Sequence, residues 1–303
     1  MALHEEDLKK LGLHERPPVI RELRSIWIFI RSWPVIPIVI LGLLILSGLL
    51  ADVLATQDPR QGGIRDRHIP PAWTEEGTTE HILGTDHAGR DVFTRTLYGA
   101  RISLAVAAAA LLSGFIIGTT LGILSGYAGG WIDELITRIV DIWQALPFLM
   151  VALVCVMIFG QSTTLLLSLM VLLAWHPFVR VIRSQTLTIK NQPYVDLARV
   201  AGASLPRILI RHILPGVINT AVVIATLSVG SLILAEAALS FLGAGVPAPT
   251  PAWGIMVAEA RGYLQTAWWP AIFPGMSIFL VVLSLNFMGD WLRDKLDPRL
   301  RQL

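Results

Sequence analysis

Residues 142–179 read IWQALPFLMVALVCVMIFGQSTTLLLSLMVLLAWHPFV and contain no Asp, Glu, Lys or Arg. An α-helix rises ~1.5 Å per residue, so it needs ~20 residues to cross the ~30 Å hydrocarbon core of a bilayer. This run of 38 residues is therefore long enough for two spans. The polar sequence at its centre, residues 160–164 (GQSTT), predicts the turn between them.

Four further apolar stretches flank this run, and together they predict six membrane helices. They cover residues 34–51, 102–132, 212–235 and 262–289, the last spanning from Pro270 onward. The whole chain is 54% hydrophobic and only 15% charged, and its mean hydropathy is +0.63. We therefore expect an all-α integral membrane protein, because soluble domains carry about 25% charged residues.

The distribution of Lys and Arg predicts the orientation. If the N-terminus is cytoplasmic, 17 of these residues lie in cytoplasmic segments and 7 lie in external ones, which is the bias of the positive-inside rule. Six spans then place both termini in the cytoplasm. The predicted order is a cytoplasmic tail (1–33), a first helix with an external segment (34–101), a five-helix core (102–290) and a second cytoplasmic tail (291–303).

The long basic loop inside the core, residues 184–215, is expected to contain two short helices. The first runs from Pro193 to about residue 201, and Gly202 can take the left-handed position that ends it. Ser204 can cap the second helix, and Pro215 predicts a break before the fifth span. Such a helix–turn–helix suits a rigid peg that docks another protein, but a basic loop lying on anionic headgroups fits equally well.

The same loop resembles the coupling-loop signature of importer-type ABC permeases: acid-Ala-Ala, three residues, Gly, nine residues, Ile-x-Leu-Pro. Asp196 stands for the usual Glu, while Leu197 and His212 depart from the pattern. The residues that we carry over as the ATPase-coupling site are Tyr194, Asp196, Ala198, Gly202, Ala203, Arg211, Leu214 and Pro215.

Other motifs narrow the resemblance to the second permease subunit of dipeptide, oligopeptide and nickel ABC importers. They are LGTDHAGRD (83–91), YGARISL (98–104), EAALSFLGAG (236–245), PAWG (251–254) and DPRLR (297–301). The resemblance implies the type I ABC importer permease fold. Its external motif supplies the candidate residues Gly84, Thr85, Asp86, Gly89, Arg90 and Asp91.

The resemblance also implies partners: a homologous permease in a heterodimer, two cytoplasmic ATPase subunits and an extracytoplasmic solute-binding protein. The assembly would sit in the plasma membrane of a prokaryote and import peptides or related small solutes.

The chain itself has no G-x-x-x-x-G-K-[ST] phosphate loop. We therefore expect no catalytic residue, metal or cofactor here, with ATP and Mg²⁺ bound by the ATPase subunits. A net charge of +2 gives no sign of a nucleic-acid partner.

Span two carries small residues at every fourth position, a spacing that lets another helix backbone approach closely. This stripe comprises Ala110, Gly114, Gly118, Gly122, Gly126 and Gly130. It drifts ~40° per step around a helix of 3.6 residues per turn, so it can serve more than one neighbour. Helix packing is the main interpretation, and a hinge for alternating access is the other.

Glu236 is the one carboxylate within an apolar span, and such residues usually face a bundle interior or cavity. It can have a structural or gating role, contact substrate, or simply pair with Arg101 or Arg261 near the outer end of its helix. Weaker pathway candidates are Ser240, Asn219, Asn286 and His176.

In the external motif, Asp86, Arg90 and Asp91 can form an ion-pair network that orders the segment. His81 and His87 lack the ligand-rich context of a metal site.

Two other function classes compete with the importer. A self-contained secondary transporter or channel could be built from six spans, but proton or sodium coupling normally leaves several ionisable groups within the membrane. An intramembrane enzyme has less support, because the chain has no H-E-x-x-H. Residues 122–126 (GILSG) also miss the G-x-S-G of rhomboid-like proteases by one residue.

Overall fold

The structure, a computed structural model, describes residues 34–296. Within this range the regular structure is helical, apart from one isolated β-bridge between Thr85 and Asp91. The predicted all-helical fold is therefore confirmed for the described residues. The predicted tail 1–33 and the motif at 297–301 lie outside them.

The longest connection between helices runs from α2 to α3, and residues 242–252 form a second extended connection, between α10 and α11. They are α1 (Val35–Leu49), α2 (Ala51–Leu54), α3 (Val92–Ala128), α4 (Gly130–Ala145), α5 (Phe148–Phe159), α6 (Thr163–Ala174), α7 (His176–Ile189), α8 (Pro193–Val200), α9 (Leu205–Ile208), α10 (Leu214–Phe241), α11 (Trp253–Ala260) and α12 (Trp269–Leu296). A π-helical turn, Leu209–Ile213, joins α9 to α10.

Four helical stretches are long and apolar enough to cross a membrane: Val92–Ala128, Thr163–Ile189, Leu205–Phe241 and Trp269–Lys295. A fifth exists if α4 and α5 form one span, but they meet at an angle of 81° next to Pro147. The apolar α1 has 15 residues, fewer than the ~20 that cross a bilayer without thinning. The described chain thus supports four or five spans of full length, and the predicted six are not confirmed.

Two predicted boundaries of span two are wrong. Its helix α3 begins at Val92, ten residues before the apolar run, because the Asp91 carboxylate accepts the Thr94 N–H at 2.7 Å and caps it. At the other end α3 stops at Ala128, four residues before the apolar stretch ends, because the chain turns at Gly129 and Gly130, whose φ angles are +67° and +54°. The residues that follow form α4, an amphipathic helix that carries charged side chains.

The predicted break at Pro215 is also wrong. Residues 205–241 follow one helical path, because Pro215 occupies the first turn of α10, where a missing N–H is least harmful. The helix widens into a π turn just before Pro215. In this turn the Leu214 N–H donates to the Leu209 carbonyl, five residues earlier. The predicted turn at 160–164 does form, since α5 ends at Phe159 and α6 begins at Thr163.

Helix α3 is the centre of the bundle and packs along much of its length on α6 and α7. A Cβ on Gly118 would clash with the Trp175 carbonyl oxygen, and one on Gly122 would lie 2.8 Å from Ile182 Cβ. Gly114 and Gly126 likewise face Ala174 and Thr186. These four glycines therefore lie against one continuous neighbour, α6–α7, and only residues this small permit the contact.

The bundle has two ends, which are named here by the short helices that they carry. The α11 end holds residues 55–91, the start of α3 and α11. The α8 end holds α8, α9 and the end of α3, ~55 Å away along a helix of 37 residues. Helix α10 packs on α3 and α12, and α1 packs on α12 and α3.

Candidate functional sites

The α8 end presents a compact helix–turn–helix. After α8 the Gly202 N–H donates to the Arg199 carbonyl and the Ala203 N–H to the Ala198 carbonyl, both at 3.0 Å. This pair of bonds, with Gly202 at φ +75°, is a Schellman ending. Ser204 stands at the N-cap of α9, but its side chain makes no capping bond. The turn is therefore fixed by backbone hydrogen bonds and not by the predicted serine cap.

Helix α8 has one buried face and one exposed apolar face. Val195 is fully buried and packs in a cluster with Ile208 and Ile213, which holds α8 and α9 against the bundle. On the other side Tyr194, Leu197 and Val200 follow each other at three-residue spacing, which places them on the same helix face. Leu197 is 68% exposed and Val200 is 87% exposed.

Leu205 and Ile210, in the segment that follows α8, are 53% and 66% exposed. We call the four residues Leu197, Val200, Leu205 and Ile210 the α8 patch. Nothing in the described part of the chain covers it. Apolar surface at the end of a bundle, next to exposed charges, is typical of a protein contact.

The α8 helix is also tied to the end of α3. The Arg199 guanidinium lies 5.4 Å from the centre of the Tyr127 ring, and its Nη1 donates to Asp196 at 2.8 Å. Lys190 Nζ donates to the Gly126 carbonyl at 2.7 Å. These contacts join α8 and the end of α7 to α3. Helix α8 is therefore connected to the membrane helices both by these side-chain contacts and by the chain that continues into α10.

The other predicted coupling residues lie in the same segment. Ala198 is half-buried, Leu214 is half-buried, and Arg211 and Pro215 are exposed. His212, which departs from the family signature, lies with its ring 6.4 Å from the Tyr194 ring.

At the α11 end, four charged side chains form a closed network. Arg90 donates to Asp86 and to Glu259, each at 2.7 Å. Arg95 donates to Glu259 at 3.0 Å and its Nε lies 3.4 Å from Asp86 Oδ2. Arg95 is 99% buried, and two carboxylates balance the two guanidinium groups. The network connects the segment before α3, α3 itself and α11.

The remaining residues of the external motif shape the backbone around this network. Asp91 is fully buried, caps α3 and bonds His81 Nδ1 at 3.1 Å. Thr85 is also fully buried, and its carbonyl accepts the Trp269 indole N–H at 3.0 Å. Gly84 and Gly89 take positive φ angles of +78° and +74° in places with no room for a Cβ.

Sequence reasoning did not find Arg95 and Glu259 as members of this network, and it did not pair His81 with Asp91. Glu259 comes from α11, 164 residues after Arg95, and no local pattern connects them. Asp86, His87 and Glu259 place ligand atoms within 4.8 Å of one another. The adjacent guanidinium groups of Arg90 and Arg95 disfavour a metal cation there, because they already neutralise both carboxylates.

Glu236 lies at the junction of three predicted motifs. Its Oε2 lies 3.0 Å from Ser103 Oγ on α3, and its Oε1 lies 2.8 Å from Ser240 Oγ on α10. Ser103 Oγ also accepts the backbone N–H of Trp253, at the start of α11, at 3.4 Å. Arg101 bonds Asp52, and Arg261 lies over the Phe241 ring. The alternative in which Glu236 pairs with one of these arginines is therefore wrong.

The other pathway candidates do not join Glu236. Asn219 and Asn286 are exposed on α10 and α12, and Asn286 Oδ1 would lie 3.3 Å from a Cβ on Gly230. His176 is half-buried at the start of α7.

Comparison with known proteins gives a consistent result. The sequence model of the family described as "Binding-protein-dependent transport system inner membrane component" matches residues 118–302. The chain is 40% identical over 267 residues to the dipeptide transport system permease protein DppC of Alkalihalophilus pseudofirmus, covering 88% of this chain and 86% of that protein. It is 44% identical over 222 residues to the glutathione transport system permease protein GsiD of Escherichia coli O6:K15:H31, covering 73% of each.

A solved structure shares the fold. It is an inward-facing conformation of the MetNI methionine ABC transporter, with 20% identity and a TM-score of 0.55, covering 67% of this chain and 96% of that one.

Proposed function

The chain belongs to the family of binding-protein-dependent transport system inner membrane components, and on that premise we propose that it is the permease subunit of an ABC importer for peptides. It is a multi-pass protein of a prokaryotic plasma membrane. Similar permeases are named for dipeptides, for di- and tripeptides and for glutathione. Short peptides are therefore the substrate class that we assign.

The observation that carries the energy-coupling part of this proposal is the exposed α8 patch. Leu197 and Val200 stand outside while Val195 and Ile208 anchor the same segment from within. A helix held rigidly from one side, with apolar residues on the other, is suited to insert into a groove of a second protein. We assign that groove to an ATPase subunit, so that residues 194–215 form the docking segment.

The assembly that follows has four kinds of subunit. This permease pairs with a homologous permease, two ATPase subunits bind at the α8 end, and a solute-binding protein delivers peptide at the α11 end. ATP and Mg²⁺ belong to the ATPase subunits. The α8 end is then cytoplasmic and the α11 end external, with both termini in the cytoplasm, in agreement with the Lys and Arg distribution.

Reconstitution with the partner subunits tests this function. We expect uptake of a labelled dipeptide into proteoliposomes that depends on ATP, on the binding protein and on both ATPase subunits. Block by a non-hydrolysable ATP analogue is the expected result. Uptake that persists with the analogue but collapses with an uncoupler would instead support a secondary transporter.

The orientation is tested separately with single cysteines at position 70 and at the exposed position 204, in a variant with Cys155→Ser. A membrane-impermeant maleimide should label position 70 in intact cells and position 204 only after the membrane is opened. External labelling at 204 would overturn the docking assignment.

A further inference from the structure

Glu236 joins three parts of the chain that are far apart in sequence. The carboxyl group contacts Ser103 of α3 and Ser240 of α10, and Ser103 in turn accepts the Trp253 N–H at the start of α11. Trp253 is fully buried, its indole N–H donates to the Thr96 carbonyl at 3.0 Å, and its ring lies against Gly99. We call Glu236, Ser103, Ser240 and Trp253 the α11 bracket.

No cationic side chain of residues 34–296 forms an ion pair with this carboxyl group. Glu236 is fully buried, and none of the ion pairs formed by residues 34–296 includes it. A desolvated carboxylate with only neutral hydroxyl partners is very costly, and buried charges normally have a counter-ion. The charged network of Arg90, Arg95, Asp86 and Glu259 is balanced within itself and leaves no guanidinium for Glu236.

We propose that Glu236 is a neutral carboxylic acid and acts as a positioning residue that fixes α11 against α3 and α10. The surrounding hydroxyls can accommodate a neutral acid. Ser103 accepts from Trp253 and donates to Oε2 of Glu236, so that oxygen is an acceptor. Ser240 Oγ donates to the other oxygen, Oε1, at 2.8 Å. A proton on Oε1 would reverse this bond, because a hydroxyl can accept as well as donate.

The bracket has a consequence for transport, and this part rests on the proposed function. Helix α11 carries Glu259 of the ion network and leads into α12, which packs on α10. Gly254, next to Trp253, lies so close to α10 that a Cβ would be 2.6 Å from Ala237 Cα. The neutral α11 bracket fixes one side of α11, and the ion network fixes the other side. Together they hold the α11 end in a single conformation for the binding protein.

Infrared spectroscopy tests the protonation state without any transport assay. The difference spectrum between the wild type and Glu236→Gln should contain the carbonyl stretch of a protonated carboxylic acid, lost in the variant. A difference spectrum with only carboxylate bands would overturn the proposal.

Three variants test the positioning role. Gln offers an acceptor oxygen and a donor NH2 group in the places of the two oxygens of the neutral acid, so Glu236→Gln should keep assembly and transport within about twofold of the wild type. Glu236→Ala should lose the bracket and with it most transport. If Glu236→Gln lost transport while Glu236→Asp kept it, a charged carboxylate would be required and the proposal would be wrong.

A labelling assay reports on α11 itself. Ala252 is fully buried beside Trp253, so a cysteine there, in a variant with Cys155→Ser, reacts only when α11 moves away. Labelling of purified protein by a maleimide should be equally slow with Glu236 and with Glu236→Gln. With Glu236→Ala it should be about tenfold faster, because the open form becomes more populated. Equal rates in all three proteins would show that the bracket does not position α11.

Discussion

The two ends of the bundle satisfy their side chains in opposite ways. At the α11 end, Arg95 and Asp91 are almost fully buried; Arg95 pairs with Glu259, and the Asp91 carboxylate accepts the Thr94 N–H. At the α8 end the ion pair between Arg199 and Asp196 is exposed on both sides, and Leu197 and Val200 face outward. At the α11 end the buried guanidinium of Arg95 has its partners inside the chain, and at the α8 end apolar residues line the exposed face of a short helix.

This difference predicts two kinds of mutational effect, one on the folding of the chain and one on the assembly of the complex. A residue of the α11 end supports the shape of the chain, so its loss should be felt before any partner binds. A residue of the α8 patch contributes little to the fold, so its loss should be felt only in the assembly. Each prediction below tests whether an effect appears in the isolated chain or in the complex.

The largest effect is expected from Arg95→Leu, which leaves Asp86 and Glu259 with a single guanidinium between them. Breaking a buried ion pair typically costs ~3–5 kcal/mol. We expect the yield of folded permease to collapse, measured by size-exclusion chromatography after solubilisation. Arg138→Leu is the matched control, because Arg138 and Glu134 are 70% and 71% exposed at 3.8 Å. An exposed pair is worth ~0–1 kcal/mol, so equal yields from the two variants would contradict the account.

The next effect concerns the bundle that joins the two ends. Gly122→Leu should separate α3 from α7, since its Cβ would already lie 2.8 Å from Ile182 Cβ. Overpacking a close contact costs ~1–3 kcal/mol, which should lower the melting temperature of the purified permease. Gly42→Leu on α1 is the control, because no atom lies within 4 Å of its Cβ. A normal melting temperature for both variants would mean that the stripe does not hold the bundle.

A smaller effect, confined to the complex, is expected from the α8 patch. Val200→Ser should weaken ATPase binding by about tenfold, or ~1.4 kcal/mol, without lowering the melting temperature of the isolated permease. Ile64→Ser is the control at the opposite end, because Ile64 and Val200 are both 87% exposed. Titration of the ATPase subunit onto immobilised permease measures both. If Ile64→Ser weakened ATPase binding as much as Val200→Ser, the predicted difference between the two ends would be wrong.

The smallest effect is a pH dependence at the α11 end. Burial, and then repulsion by Arg67, hold the pKa of His68 below its ordinary value of 6.5. The folded chain therefore favours neutral His68. The stability from this group is present above the unfolded pKa of about 6.5 and is lost as the pH falls through the folded pKa.

His68→Asn removes this titration and suits the positive φ of +56° at that position. Between about pH 8 and about pH 5, the melting temperature of the wild type should therefore fall more than that of the variant. Parallel curves would show that His68 does not contribute.

Much of the fold follows from the sequence because charge and apolar periodicity are local. The turn at 160–164 and the left-handed Gly202 can be read within a few residues, and the apolar stretches locate the long helices but not all of their ends. The start of α3 could not be predicted from charge, because Arg95 lies inside the helix and is neutralised by Glu259, which is distant in sequence. The continuity through Pro215 was missed because a π turn has no sequence signal of its own.

The site divides in the same way. The α8 segment is contiguous, so its motif alone is enough to place Tyr194, Asp196 and Gly202 together. The α11 bracket needs Ser103, Glu236 and Trp253 from three motifs. Each motif is visible alone, but their meeting is decided by the packing of α3, α10 and α11.

Docking of an ATPase subunit on α8 is the central claim, and Gly202 tests it most directly. A Cβ there meets no atom within 4 Å, so a substitution acts only through the backbone at φ +75°. Gly202→Val should keep the permease in the membrane but lose ATPase co-purification and substrate-stimulated ATP hydrolysis, because a β-branched residue resists this conformation. Gly202→Asn, which tolerates it, should retain both. Full co-purification and full transport with Gly202→Val and with Asp196→Arg would contradict the account.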